Sequence, residues 1–192
     1  ERLTDVRLLV HTQPQETGIS SKKAANFEVG LGGTVEEKIE YAEEMIGKEI
    51  EFSDVFDEGD FSDVIAVSKG KGMEGPVKRY GIKKLPHDTQ KKRRKAGNVG
   101  PWHPDTLSWR VPLPGQQGFN NRTEFNKRLL TYGDDVEEIQ REGGFKGYGE
   151  VKSNYILVKG SVPGPSERLV RLRTALRTDK NLGPPEITHI NK

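Results

Sequence analysis

The chain contains no cysteine among its 192 residues, which excludes disulfides, thiolate-held zinc and a cysteine nucleophile, and fits a reducing compartment. It lacks any run approaching the roughly 18 apolar residues that cross a bilayer, and its opening Glu-Arg-Leu-Thr-Asp has no signal-peptide character. A soluble intracellular protein is therefore expected. The four histidines, His11, His87, His103 and His189, stand far apart with no H-x-x-x-H or carboxylate spacing, so neither a metal nor another cofactor is expected. No G-x-x-x-x-G-K-[ST] string occurs, which removes P-loop chemistry. The sequon Asn121-Arg122-Thr123 has no route to glycosylation without a secretory signal.

Apolar residues are scarce in one place. Leu, Ile, Val and Phe make up 46 of the 192 residues, enough for a modest core, but only five of the 43 residues from Ser68 to Arg110. Such a segment cannot bury enough apolar surface to offset the entropy of ordering itself. It carries 12 Lys and Arg against three acids, a balance of +9, whereas Glu1 to Val67 stands at −10 and Val111 to Lys192 at +3. A concentrated field of one sign steers an oppositely charged partner. A cationic, Gly/Pro-punctuated element that cannot fold alone points to a polyanion whose phosphate backbone it follows.

Within that stretch, Gly70-Lys71-Gly72-Met73-Glu74-Gly75 matches G-x-G-x-x-G after a predicted strand. A dinucleotide fingerprint must open a helix, and Pro76, Gly81 and Pro86 argue against one. The glycines read better as backbone access to a bulky partner, with Lys69, Lys71, Lys78 and Arg79 meeting phosphates. Lys83 and Lys84 add to this set. Lys91, Lys92, Arg93, Arg94 and Lys95 are five consecutive cations, costly to hold together without anions. Pro101 and Pro104 bracket Trp102 and His103 and restrict the chain so that an indole is presented at a loop tip, where it stacks on a base or wedges into a groove. Trp109 and Arg110 close the segment.

Elsewhere the pattern predicts a helix at Val35 to Ile46, capped by Thr34 and Glu37 and stopped by Gly47, with its acids on a solvated face. A second helix is predicted at Arg122 to Tyr132. Strands are expected at Arg2 to Val10, Glu49 to Phe52, Asp63 to Val67 and Arg168 to Arg173. Glu150 to Lys152 and Tyr155 to Gly160 read as a hairpin about Ser153-Asn154, and the tail after Thr178 as extended. These elements describe an α+β, mainly β fold: a small barrel or strongly curved sheet, two short helices and a long basic extension. The expected divisions are 1–67, 68–121 and 122–192, the middle one being the extension.

The strings SKGKGMEGPVKRYG from Ser68, GNVGPWHP from Gly97, GQQGFNNRTEFNKRL from Gly115 and YILVKGSVPGPSERLVRLR from Tyr155 resemble, in order and spacing, the universal large-subunit ribosomal protein L-three family in its archaeal and eukaryotic form. The resemblance implies a translation-protein-like β-barrel body and an extension running through ribosomal RNA toward the peptidyl transferase centre, with Trp102 at the tip and Lys91 to Lys95 in the neighbouring basic loop. It implies a structural rRNA-binding protein of the cytoplasmic ribosome, not an enzyme. Its partners are large-subunit rRNA and neighbouring ribosomal proteins, with no membrane and no small-molecule substrate. Arg122, Lys127 and Arg128 extend the rRNA-binding set, and Lys159, Arg168, Arg171 and Arg173 add a second surface on the body. Some eukaryotic members carry a modified histidine in the basic loop; Gln90 stands at that place here, with His87 three residues earlier. Full-length members begin well before the point matching Glu1, so upstream sequence is expected. An RNA-processing enzyme using His103 or His87, and a non-ribosomal architectural protein, are the alternative readings.

Overall fold

A computed structural model describes residues 3–178 and 182–191. The chain divides into two compact units. The first gathers the residues up to Ile65, Thr123–Val162 and the segment from Ser166 on; the second holds Ala66–Arg122 and Pro163–Pro165.

The elements are predominantly extended. Strand β1 (Arg7–His11) pairs antiparallel with β2 (Asn26–Gly30), placing Leu8 opposite Val29 and Val10 opposite Phe27. Helix α1 (Val35–Met45) follows, with the expected capping box: Thr34 Oγ1 accepts from the Glu37 amide, and the Glu37 carboxylate accepts from the Thr34 amide at 2.9 Å. Its apolar stripe is only half-buried, and Ile46, just beyond its end, is exposed. Then come β3 (Phe61–Val67), β4 (Gly72–Glu74), α2 (Pro76–Tyr80), β5 (Gly115–Gln117), β6 (Asn121–Gly133), β7 (Tyr155–Val158) and β8 (Arg171–Thr174). The main sheet has the order β7-β6-β3-β8, and β6 carries a bulge between Leu129 and Thr131 against β7.

The first unit's core sits on this sheet. Val64 of β3 and Leu129 of β6 are fully buried, joined by Phe56, Ile139 and Tyr155. Phe52 stacks on Phe56 with ring centroids 5.1 Å apart and tilts against Tyr132 at 5.2 Å. Removing such surface from water supplies the drive that the sparse helix cannot, at about 25 cal/mol per Å² of apolar area.

Several expectations are corrected. Arg122 to Tyr132 is not a helix but lies within β6. Phe125 and Leu129 are four residues apart, a spacing that fits one helix face or one strand face equally well. The alternation Thr123, Phe125, Lys127, Leu129, all facing inward to some degree, decides for the strand, and the charge of Lys127 hides it. The second helix is instead α2, for which Pro76 is the first residue rather than an obstacle, since a proline at N1 gives up no needed N–H. No strand occupies Glu49 to Phe52: Phe52–Asp54 forms a 3-10 turn in which the Asp54 carboxylate accepts from the Glu51 amide at 2.9 Å. No hairpin forms about Ser153-Asn154, because β7 pairs with β6. The strand expected at Arg168 to Arg173 spans Arg171–Thr174, and the first strand begins at Arg7. Arg2 and residues 179–181 of the expected tail lie outside the described residues; 182–191 hold no helix or strand. Among the described residues the strands form one four-stranded and two two-stranded sheets beside two short helices, the expected α+β, mainly β class.

Candidate nucleic-acid interface

The second unit begins with a two-stranded ribbon. Strands β4 and β5 pair antiparallel, setting Gly72 opposite Gln117 and Glu74 opposite Gly115. The glycines of the G-x-G-x-x-G string therefore lie in and beside a strand. Gly75 caps α2 and Gly81, at φ +67°, ends it in the left-handed conformation that favours glycine.

Helix α2 is tied to β5 by Arg79. Its Nη1 donates to the Leu113 carbonyl at 3.0 Å and its Nε to the Gln116 carbonyl at 3.2 Å, while the guanidinium lies 5.1 Å from the centre of the Tyr80 ring. Lys78, one residue earlier, faces outward and pairs with Glu74 at 3.3 Å. Of two adjacent cations assigned to phosphates, one holds the scaffold and the other sits on its surface.

Beyond α2 the chain takes an irregular path up to β5, as its composition requires. The basic loop is pinned at its neck, where the Leu85 amide donates to the Arg93 carbonyl at 3.0 Å and Arg93 Nε returns to the Leu85 carbonyl at 3.4 Å. Lys83, Lys84, Lys91, Lys92, Arg93, Arg94 and Lys95 are all exposed, as are Lys69 and Lys71 nearer the ribbon. Residues 97–110 form an unbroken exposed run. Asn98 shapes its start by accepting the Gly100 amide at 2.9 Å, and the His103-Pro104 peptide is cis. Trp102 is 88% exposed and Trp109 84%, the latter with the Arg110 guanidinium 5.3 Å from its ring centre. Leaving an indole in water forgoes the largest apolar burial available to any side chain. Two indoles left in water in a strongly cationic segment are candidates for contact with a partner.

The remaining assigned residues serve different ends. Arg122 is exposed at the start of β6. Lys127 is half-buried beside Glu124 at 3.5 Å, and Arg128 donates to the Gly183 carbonyl at 3.0 Å. Lys159 and Arg171 are exposed, with the Arg171 guanidinium 5.0 Å from the Phe27 ring centre, and Arg168 is half-buried. Arg173 turns inward to Asp63. On the body, then, Arg128 and Arg173 are engaged by the fold, and Lys159 and Arg171 are the ones presented to solvent. His87 and His103, the acid/base residues of the enzymatic alternative, are exposed, and among the described residues no group of three metal-ligating side chains assembles.

Reasoning from sequence passes over Met73, Tyr80 and Phe119, which are 77%, 47% and 62% exposed. The available signal was their setting: large apolar side chains in a segment too polar to bury them.

The family model described as "Ribosomal protein L3" matches residues 1–189. The chain is 48% identical, over its whole length, to the large ribosomal subunit protein uL3 of Methanococcus vannielii, 45% to that of Methanocaldococcus jannaschii over its whole length, and 48% to that of Methanosphaera stadtmanae over 98% of its length. It spans 58–59% of the length of these relatives. A family match over nearly every residue, with 45–48% identity to these relatives over 98–100% of the chain, means that the chain belongs to the ribosomal protein L3 family.

Proposed function

We propose that this chain is a structural constituent of the large ribosomal subunit in the cytoplasm, binding large-subunit rRNA without catalysing a reaction. The observation that carries the reading is the second unit: nine exposed cations at 69, 71, 83, 84 and 91–95, followed by a fully exposed run bearing Trp102 and Trp109. Its relatives are named as large-subunit proteins, which supports the same assignment here.

In this reading segment 68–121 is the RNA-threading extension. Its lysines and arginines meet phosphates, its exposed indoles stack on unpaired bases, and Trp102 and His103 lie at the tip nearest the peptidyl transferase centre. Recognition is by shape and backbone more than by base edges. The protein helps rRNA fold during assembly and supports the geometry of the centre. The main sheet and the β1–β2 pair are read as walls of a small β-barrel of the translation-protein type, which the family resemblance supports. The exposed acidic residues of the first 67 positions are repelled by phosphates and face neighbouring ribosomal proteins instead.

The test is co-sedimentation of the tagged chain with large subunits through a high-salt cushion. Retention with the large subunit is expected; recovery only in the free-protein fraction, or binding to duplex DNA as tightly as to rRNA, overturns the assignment.

A further inference from the structure

The turn that enters β6 holds a bulky aromatic residue in a conformation that disfavours it. Phe119 has φ +54°, in the left-handed region where a large non-glycine side chain is an outlier, and it directly follows Gly118 at φ +70°. Gly118 is required there, since a Cβ would run into the Lys69 carbonyl. Neighbouring bonds lock the turn: the Phe119 amide donates to the Lys69 carbonyl at 3.3 Å, the Ser68 amide to the Asn120 carbonyl at 2.9 Å, and the Lys71 amide to the Gln117 carbonyl at 2.9 Å. The strain is not offset by burial, because Phe119 is 62% exposed. Strain of this kind persists where the surrounding structure imposes it, and it concentrates at ligand contacts.

We propose that Phe119 is a preset stacking residue for an unpaired RNA base at the root of the basic extension, a contact separate from the one at the Trp102 tip. The inference rests on the rRNA-binding reading. Two features select a base as the occupant. The backbone bonds of the turn place Phe119 next to Lys69 and Lys71, both exposed and without an ion pair among the described residues, so the ring sits where a phosphate backbone is drawn in. The ring is also an aromatic surface largely open to solvent, and an aromatic face beside cations is what stacking on single-stranded nucleic acid uses.

The experiment measures binding of the full chain to deproteinised large-subunit rRNA, together with its thermal melting, for the wild type and for Phe119→Gly, Phe119→Leu and Phe119→Tyr. Phe119→Gly relieves the backbone strain, so its melting temperature should be no lower than wild type while affinity falls about tenfold, the loss of one stacked base. Phe119→Leu keeps apolar bulk without a π face and should lose similarly; Phe119→Tyr should bind as wild type. Wild-type affinity in Phe119→Gly or Phe119→Leu overturns the inference and assigns the ring to a protein contact. A clear drop in the melting temperature of Phe119→Gly overturns it in favour of a packing role. Failure of the wild type itself to bind rRNA overturns the functional reading as well, which separates the two failures.

Discussion

Asp63 and Arg173 are direct partners across the β3–β8 pair, and the fully buried Asp63 carboxylate accepts from Arg173 Nε and Nη2 at 3.2 Å each. The same carboxylate also accepts the amides of Asn126, at 3.1 Å, and Leu176, at 3.3 Å, so one side chain joins β6, β3 and the segment after β8. Burial pushes its pKa up. The two amides and the guanidinium outweigh burial and hold the carboxyl below the ordinary carboxylate range.

A depressed folded-state pKa makes Asp63 a source of acid lability. Its contribution is fully present above the unfolded value of about 3.9 and disappears as pH falls through the lower folded value. Melting of the wild type should therefore show a loss of stability setting in near pH 4 and deepening below it. Asp63→Asn should melt lower at pH 7 and show a shallower decline in that window. Arg173→Met leaves the carboxylate buried with its amide partners only and should cost about 2 kcal/mol, short of the roughly 3–5 kcal/mol of fully buried pairs because Arg173 is partly exposed. An identical acid profile for Asp63→Asn would show that other carboxylates set the limit.

Arg79 and Lys78 form a matched pair for separating scaffold from contact. Arg79→Met removes both bonds to the Leu113 and Gln116 carbonyls and should lower protection of the β4 and β5 amides in hydrogen exchange, a local loss of about 1–2 kcal/mol. Lys78→Met, at an exposed ion pair, should change stability by less than about 0.5 kcal/mol. Gly115→Ala should act like a mild Arg79→Met, because an added Cβ would lie 2.8 Å from Arg79 Nη1. Equal protection in all three variants would remove Arg79 from its place as the clamp.

How much of this was legible in the sequence depended on how far each interaction reaches. The α1 cap was readable because Thr34 and Glu37 are three residues apart and need nothing else. The extension was readable because charge and apolar content are properties of the segment alone. Strand β6 was not, because the i, i+4 spacing of Phe125 and Leu129 fits two periodicities and the charge of Lys127 hides the alternation that decides for the strand. Arg173 was counted with the RNA-facing cations because its partner, Asp63, lies 110 residues away in the chain. The bonds of Arg79 within the fold were hidden for the same reason, its acceptors lying 34 and 37 residues on. The left-handed φ of Phe119 leaves no trace in a one-letter string, since glycine is the usual marker and phenylalanine the exception.

Trp102 and Trp109 are so exposed that they contribute almost nothing to holding the chain together. Trp102→Ala and Trp109→Ala should each shift folding stability by less than about 0.5 kcal/mol. Each should weaken rRNA binding by about 1–3 kcal/mol if its indole stacks on a base. Melting and filter binding on the same preparations check both. A destabilised Trp102→Ala would mean that the ring packs within the fold.

The phosphate contacts have their own signature in salt. If about eight of the nine exposed cations at 69, 71, 83, 84 and 91–95 reach phosphates, each releases about 0.7–0.9 of a counterion. Log affinity for rRNA should then fall against log salt with a slope of roughly −6 to −7. Replacing Lys91 to Lys95 by glutamines should reduce the slope by about 4, the share of five contacts, whereas Trp102→Ala should lower affinity at every salt concentration with the slope unchanged. Because Arg79, Arg128 and Arg173 are bonded within the fold, replacing them should leave the slope within about 1 of wild type. A wild-type slope near −1 would mean that the extension meets RNA at one or two phosphates, and the extended contact along its length would fall.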